Sequence, residues 1–201
     1  MSDEIEHAHN QESDSFDDEY NENPKLFGHP YIELQNYFNS NCPTRGNLLD
    51  LGCGQGRDSM FLASLGYKVI AVDSSKIGIQ QLLNEADSQE VKIDGIVSDI
   101  QDFKTEKRFD VILFDMVLHG FKKSTQLEML DKYSNLLNKE GILCIVYPDD
   151  FSVEHFMEML ESTSSNWKLL DEITVNDVPK VKGETTDFKF KMMVAKLCLD
   201  S

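Results

Sequence analysis

The feature that most constrains the fold is a glycine-rich turn between an apolar run and a helical pattern. Residues 48–51 form the apolar run, which leads into Gly-Cys-Gly-Gln-Gly at residues 52–56. A helical pattern follows and stops at Gly66, and a second apolar run ends at Asp73. Parallel strands need a crossover helix between them, so this stretch predicts the first unit of a parallel α/β sheet.

The rest of the chain continues this alternation. Short runs rich in Val, Ile and Leu are typical of buried strands, and they recur as NLLDL, YKVIAVD, KIDGIVSD, FDVILFD and GILCIVYP. Helical patterns lie between them, and the serines that open SSKIGIQQLLNEA can cap a helix. WKLLDEITV and FKFKMMVAKL are separated only by a polar loop. The sequence therefore predicts an α/β fold with a single doubly wound, mostly parallel sheet, helices on both faces and an antiparallel C-terminal edge hairpin.

The N-terminal residues do not share this pattern. Residues 1–23 contain nine acidic residues and no Lys or Arg, so we expect an acidic, mobile tail. Residues 24–201 are expected to form a single domain, because a chain of 201 residues suits one hydrophobic core. Pro30 and the apolar residues at helical spacing after it predict a short amphipathic helix ahead of the sheet.

Charge and composition exclude several classes of function. The formal net charge of −17 argues against nucleic acid as a partner, since phosphate binding depends on Lys and Arg. A basic concentration near the C-terminus is interpreted as a solvated face, and it consists of Lys180, Lys182, Lys189, Lys191 and Lys196. No stretch approaches the roughly 20 apolar residues that cross a bilayer, and no signal peptide follows Met1, so we expect a cytoplasmic protein without membrane association.

Cysteine spacing predicts no metal site. The four cysteines form neither a CxxC pair nor a cluster with histidine at ligand spacing.

Acidic residues accompany the ends of three successive predicted strands. Asp50 lies just before the glycine turn, Asp73 ends the second strand and Asp99 follows the third. Ligands of a doubly wound sheet bind outside the carboxyl ends of its strands, where a carboxylate in the position of Asp73 accepts ribose hydroxyls. Asp99 and Ile100 are placed to contact an adenine. Each acid alone has an alternative interpretation as a turn residue or helix cap, but the three together predict an adenosine pocket.

The same residues distinguish between adenosine compounds. The dinucleotide fingerprint GxGxxG needs a glycine at the position of Arg57, and no Gly-Lys-Ser/Thr follows for a phosphate loop. Asp50 would repel a pyrophosphate but attract a cationic ligand. S-adenosyl-L-methionine carries a sulfonium and an ammonium and has no phosphate, so it fits this arrangement.

At these residues the sequence resembles the class I S-adenosylmethionine-dependent methyltransferases. Within them, LDLGCGQGRDSMFLASLGYKVIAVD is most similar to the tellurite-resistance-type branch, and the resemblance covers roughly residues 48–148. It implies a Rossmann-like, seven-stranded sheet whose last strand is antiparallel, and an acceptor side formed by FDMVLHGF after the fourth strand. The cofactor-binding residues that we expect are Asp50, Gly52, Cys53, Gly54, Gly56, Arg57, Asp73, Ser74, Asp99, Ile100 and Asp115.

His119 and Asp115 are the candidate catalytic residues. Methyl transfer needs an aligned nucleophile, and it needs a general base only when that nucleophile is protonated. His119 is interpreted either as that base or a substrate contact, or as a loop histidine without a chemical role. Asp115 either orients the substrate or cofactor or caps its strand. Arg57 either binds the cofactor carboxylate or forms a structural salt bridge near Asp58.

The function predicted from the sequence is S-adenosylmethionine-dependent methyl transfer to a small molecule. The segment Asp115-Met116-Val117-Leu118 lacks the [DN]PP[YF] pattern of base and glutamine methylation, and no large insertion is present for docking a macromolecule. A protein side chain is the alternative acceptor. A cofactor-binding regulatory subunit without catalysis and a nicotinamide-dependent oxidoreductase are the competing functions, and Tyr20 lies in a segment that can close over the pocket.

Overall fold

The computed structural model describes residues 16–41, 45–163, 165–176 and 189–198. Within these ranges the predicted α/β fold is confirmed, since seven strands form one sheet in the order β3-β2-β1-β4-β5-β7-β6. The strands are β1 (Asn47–Leu51), β2 (Lys68–Asp73), β3 (Ile93–Val97), β4 (Phe109–Asp115), β5 (Leu137–Pro148), β6 (Asn166–Val175) and β7 (Phe190–Cys198). The helices are α1 (Ile32–Asn41), α2 (Arg57–Ser64), α3 (Lys76–Ser88), α4 (Lys123–Ser134) and α5 (Val153–Glu161).

The sheet reverses its strand order at β1. This strand pairs in parallel with β2 on one side and with β4 on the other. The gap between the β1 and β4 connections is the switch point at which doubly wound sheets bind ligands. The glycine turn follows β1 and therefore opens at this point.

The predicted antiparallel C-terminal pair is confirmed. The sequence analysis did not predict that the last strand is inserted between the two strands that precede it. Strand β7 lies between β5 and β6 and is antiparallel to both. The edge of the sheet is therefore β6, while the later strand β7 is internal. This explains why residues 192–195 of β7 are fully buried.

Helices cover both faces of the sheet. Helices α1, α2 and α3 pack on the face to which Leu48 points, where Leu82 of α3 joins the core. Helices α4 and α5 pack on the opposite face, where Phe156 of α5 shares a core with Leu49. Consecutive side chains of a strand point to opposite faces, so Leu48 and Leu49 are both fully buried. This double burial explains the continuous apolar runs in the sequence.

Local signals in the sequence set the ends of two helices. The predicted serine cap is Ser75, whose hydroxyl accepts a hydrogen bond from the Gly78 N–H at 2.8 Å at the start of α3. Gly66 follows α2 with a φ of 96°, a left-handed conformation that ends a helix.

The boundary of the predicted acidic tail differs from the structure. Residues 16–22 form a helical segment, and Tyr20 within it is only 4% exposed. The Gln81 side chain donates to the Tyr20 carbonyl at 2.9 Å, and the Ile77 N–H donates to Asp17 at 3.1 Å. Burial of one aromatic ring and hydrogen bonds to α3 therefore make these residues part of the folded domain. The rest of the predicted tail, residues 1–15, lies outside the described residues.

Some expectations from the sequence concern residues that the structure does not describe, and another concerns membrane association. Lys180 and Lys182 of the basic concentration and Cys42 lie outside the described ranges. In the part of the chain that the structure describes, no helix has the length and apolarity needed to span a bilayer.

Candidate cofactor and acceptor site

The carboxyl ends of the central strands open into one cavity of about 1010 Å³. The structure places every predicted site residue on its wall, although these residues come from turns far apart in the sequence. They are Asp50, Gly52, Cys53, Gly54, Gly56, Arg57, Asp73, Ser74, Asp99, Ile100, Asp115 and His119. The three strand-end carboxylates thus surround a single space, as the sequence requires for an adenosine pocket.

The glycine turn presents bare main chain to this cavity. Gly54 has a φ of 52°, and a Cβ at this position would lie 2.7 Å from the Tyr20 hydroxyl oxygen. Gly56 has a φ of 81°, and a Cβ there would lie 2.2 Å from Leu82 Cδ1. Both the left-handed backbone and the close contacts therefore require glycine.

Asp73 is held in place by the main chain on both sides. Its Oδ2 accepts a hydrogen bond from the Gly54 N–H at 2.7 Å, and its Oδ1 accepts one from the Ser75 N–H at 2.8 Å. Burial raises the pKa of Asp73, and these two hydrogen bonds oppose that rise. Each oxygen keeps a second lone pair, so the carboxylate is oriented to accept the hydroxyls of a ribose.

Asp50 is a buried acid with one direct hydroxyl partner. It is 2% exposed, and Ser59 Oγ donates a hydrogen bond to its Oδ2 at 2.6 Å. Burial, together with the negative charge of Asp58, raises the pKa of Asp50 to about 7. A cationic ligand in the cavity would stabilise the ionised form.

Arg57 connects two carboxylates at the acceptor side of the cavity. Its Nε and Nη2 donate to Asp58 at 3.1 and 2.8 Å, and Nη2 also donates to Asp115 Oδ2 at 2.5 Å. The guanidinium carbon lies 4.2 Å from the centroid of the Tyr31 ring. Burial raises the pKa of Asp115 well above its usual range, and Arg57 opposes that rise. Of the two sequence interpretations of Arg57, the salt bridge is therefore present in the structure.

Asp58 lies in the wall of the candidate site, although the sequence analysis did not include it. Its side chain is 7% exposed and lines the cavity. In the sequence it resembles an ordinary acid in the first turn of a helix, where the helix dipole favours negative charge. The neighbouring Arg57 is the only local feature of the sequence that points to Asp58. The contact between Arg57 and Asp115 cannot be predicted locally, because it depends on the pairing of β1 with β4.

His119 lies on a short 3-10 turn, Leu118–Gly120, directly after β4. Its Nδ1 is buried and has no hydrogen-bond partner among the described residues. Burial lowers the pKa of His119, which favours the neutral imidazole. Gln126 holds this turn by donating to the Leu118 and Phe121 carbonyls, each at 2.9 Å. A neutral imidazole can accept a proton, and the base role of His119 stays a prediction.

Aromatic side chains from both ends of the chain complete the wall. Tyr20 from the helical segment lies over the glycine turn, as the predicted closing segment requires. Phe190, the first residue of β7, contacts Tyr31 with ring centroids 5.9 Å apart. No sequence pattern pointed to Phe190, because its place in the wall depends on β7 lying between β5 and β6. Within the described residues, no group of three or more His, Cys, Asp or Glu side chains is arranged to hold a metal ion.

Comparison with known proteins identifies the family. The profile of the family described as "Methyltransferase domain" matches residues 44–196, well over half of the chain. The chain belongs to this methyltransferase family. The match begins just before β1 and ends two residues before the end of β7, so it includes residues from all seven strands.

Individual relatives agree with this assignment. The methyltransferase domain is 25% identical over 161 residues to the "Probable S-adenosyl-L-methionine-dependent methyltransferase TehB" of Haemophilus influenzae, covering 74% of this chain and 56% of that protein. It is 37% identical over 100 residues to the ubiquinone biosynthesis O-methyltransferase of Pelagibacter ubique, covering 49% and 40%. The chain thus spans about half the length of the curated relatives it matches.

A solved structure shows the same fold. The N-methyltransferase NodS from Bradyrhizobium japonicum, in complex with S-adenosyl-L-homocysteine, superposes with a TM-score of 0.68 at 16% identity, covering 87% of this chain and 91% of that chain. The family match and the TehB relative confirm the predicted resemblance to class I methyltransferases of the tellurite-resistance type. They also confirm S-adenosyl-L-methionine as the predicted cofactor.

Proposed function

We propose that this protein transfers a methyl group from S-adenosyl-L-methionine to a small molecule. The observation that carries the proposal is the convergence of Asp50, Asp73 and Asp99 on one cavity beside a turn that has glycine at three of its five positions. When bound, the cofactor supplies a methyl group that its sulfonium already activates toward nucleophiles. The protein therefore has to bind, orient and exclude water rather than activate the methyl group.

The residues present fit this cofactor. A Cβ at Gly54 would occupy space between the turn and Tyr20, so this cradle needs glycine. The Asp73 carboxylate is oriented by two main-chain N–H groups and can hold ribose hydroxyls. The buried Asp50 favours a positive charge nearby, since a cation offsets the cost of ionising a carboxyl away from water. Asp99 and Ile100 are assigned to the adenine.

The size of the cavity supports a small acceptor. Its volume of about 1010 Å³ must hold both cofactor and acceptor, while pockets for single ligands commonly have ~300–1,000 Å³. The helical segment at residues 16–22 covers the glycine turn, since Tyr20 lies beside Gly54 and lines the cavity. This covering favours a small acceptor over a macromolecule. The name of the ubiquinone biosynthesis relative points in the same direction, although that name describes the relative alone.

Calorimetry followed by a turnover assay tests the proposal. We expect calorimetry to show that S-adenosyl-L-methionine and S-adenosyl-L-homocysteine bind. In the turnover assay, we expect the enzyme to release S-adenosyl-L-homocysteine when a suitable acceptor from a panel of small metabolites is methylated. Binding without turnover on any acceptor would favour a non-catalytic cofactor-binding subunit. NADH that competes with S-adenosyl-L-homocysteine would favour an oxidoreductase.

The variant His119→Ala separates binding from chemistry within the same assay. We expect cofactor affinity to be unchanged and turnover to fall, because His119 lies after β4 and not in the glycine turn. Normal turnover would remove His119 from the reaction.

A further inference from the structure

The wall of the cavity carries more carboxylates than cations. Among the described residues that line it, six side chains are acidic and two are cationic. The acidic ones are Asp50, Asp58, Asp73, Glu85, Asp99 and Asp115, and the cationic ones are Lys25 and Arg57. Lys25 Nζ is already paired with Glu85 at 2.9 Å, and Arg57 is paired with Asp58 and Asp115. Both cations are thus engaged, and the acidic groups of the wall outnumber the cations that can neutralise them when they ionise.

This excess has a specific location on the acceptor side. One guanidinium is shared between Asp58 and Asp115, and each of these carboxylates is only 7% exposed. A single positive charge cannot neutralise two buried negative charges, so the cluster is incomplete without a proton or a second cation. A buried charge without an opposite charge beside it costs on the order of several kcal/mol of free energy. A cationic ligand would remove that cost.

Aromatic rings beside the cluster favour the same kind of ligand. Tyr31 already stacks against Arg57, and Phe190 contacts Tyr31, while both rings line the cavity. Aromatic faces attract cations and also pack against apolar groups. Among the described residues at this part of the wall, an anion would meet neither an unpaired cation nor a favourable ring face.

We propose that the methyl acceptor is a small aromatic or apolar amine whose protonated nitrogen is held by Asp58 and Asp115. Acceptors that carry a negative charge, oxyanions included, are rejected by the same carboxylates. This inference rests on the proposed methyltransferase function and adds Asp58 to the acceptor site.

The carboxylate pair also accounts for the proton that an amine must lose. The ammonium nitrogen transfers one proton to the Asp58–Asp115 pair, and its freed lone pair forms the new N–C bond to the methyl carbon. The C–S bond breaks, and its electron pair stays on sulfur, which becomes a neutral thioether. The product is a methylated ammonium, and the proton on the carboxylate pair passes to water.

Binding of three probes of similar size tests this inference in the presence of saturating S-adenosyl-L-homocysteine. Calorimetry compares 2-phenylethylamine, 2-phenylethanol and 3-phenylpropionate, which differ chiefly in charge. We expect the amine to bind at least ~10-fold more tightly than the carboxylate, a difference of ~1.4 kcal/mol. In Asp115→Asn the preference for the amine over the carboxylate should fall several-fold, because one negative charge is removed without a change of shape.

The matched control is Asp94→Asn, which removes an acid that is 69% exposed and paired with Lys107 on the outer strand β3. It should keep the wild-type preference. Asp58→Asn should reproduce the effect of Asp115→Asn, and circular dichroism shows whether each variant is folded. Equal or tighter binding of 3-phenylpropionate to the wild-type protein overturns the inference, as does the failure of all three probes to bind while S-adenosyl-L-homocysteine binds. Failure of S-adenosyl-L-homocysteine itself to bind contradicts the proposed function instead.

Discussion

In the cofactor half of the cavity, the groups that face a ligand are main-chain groups of residues 52–56 and the carboxylate that they orient, Asp73. In the acceptor half, the corresponding groups are the side chains of Tyr31, Arg57, Asp115 and Phe190. The first set lies within one strand-turn-helix-strand unit. The second set is drawn from the residue just before α1 and from α2, β4 and β7, which span most of the sequence.

This difference has a functional meaning. A main-chain site depends on backbone conformation, so it binds the same cofactor wherever the turn is kept. A side-chain site changes with each substitution, so the acceptor can differ between proteins that share the turn. The tellurite-resistance likeness accordingly concerns the cofactor half and does not bring its acceptor to this chain.

The largest expected effect comes from breaking the backbone of the cofactor half with Gly56→Ala. A Cβ in a left-handed conformation costs ~1–2 kcal/mol, and the contact with Leu82 at 2.2 Å forces repacking that costs ~1–3 kcal/mol. We expect the free energy of unfolding to fall by ~2–5 kcal/mol in denaturant titrations.

The matched control for that variant is Gly120→Ala. A Cβ at Gly120 meets nothing within 4 Å, and its backbone is not left-handed. Its stability should change by less than ~0.5 kcal/mol. A similar loss in both variants would show that the glycine turn is not under a special constraint.

Asp73→Asn should have the next largest effect, on cofactor affinity. An amide keeps the shape but loses the charge that strengthens hydrogen bonds to N–H and hydroxyl donors. We expect the Kd for S-adenosyl-L-homocysteine to rise about 30-fold, or ~2 kcal/mol, by calorimetry. Unchanged affinity would place the ribose elsewhere in the cavity, while Asp94→Asn again serves as the control for a lost surface charge.

Asp50→Asn changes how stability depends on pH. The pKa of Asp50 is about 7 in the folded protein and 3.8 in its ordinary state. Between these values the folded chain binds a proton that the unfolded chain has lost, so its stability falls as the pH rises from ~4 to ~7. Asparagine cannot ionise, so between pH 5 and pH 8 the wild type should lose ~1–3 kcal/mol more than the variant. Parallel pH profiles in urea unfolding would contradict this assignment.

The smallest expected effect concerns the segment that covers the turn. Asp17 accepts hydrogen bonds from the Ile77 N–H and the Ser75 hydroxyl at the start of α3. Asp17→Ala should lower the free energy of unfolding by ~0.5–1 kcal/mol, the usual value of a helix cap. Asp18→Ala is the matched control, because Asp18 is exposed in the same helical segment. Equal losses would mean that the cap contributes nothing.

The sequence predicted the cofactor half well because its determinants are local. The run NLLDL coincides with β1, and FDVILFD coincides with β4. The glycine turn and the acids at the strand ends need only the rule that parallel strands share a ligand edge. Residue spacing was therefore sufficient to predict that Asp50, Asp73 and Asp99 meet.

The acceptor half and the covering segment depend on contacts between distant residues. Asp58 is linked to Asp115 through Arg57, and Phe190 reaches the site because β7 lies between β5 and β6, so both placements depend on contacts between distant residues. Residues 16–22 have the composition of a disordered tail, yet one buried ring and a few hydrogen bonds fix them. Sequence patterns report periodicity and composition, and they do not report which surfaces meet.

The position of β7 sets the order in which the sheet can be completed during synthesis. Strand β5 emerges from the ribosome long before residues 190–198, and its final neighbour on that side is β7. Until then the apolar edge of β5 lacks a partner, and β6 has nothing to pair with in its native place. Pairing β5 with β7 requires contacts between residues about fifty positions apart in the sequence. Contacts of this kind form slowly, so the growing chain is exposed to aggregation in the meantime. A nascent chain arrested before β7 should accordingly need chaperone protection, although its glycine turn has already been made.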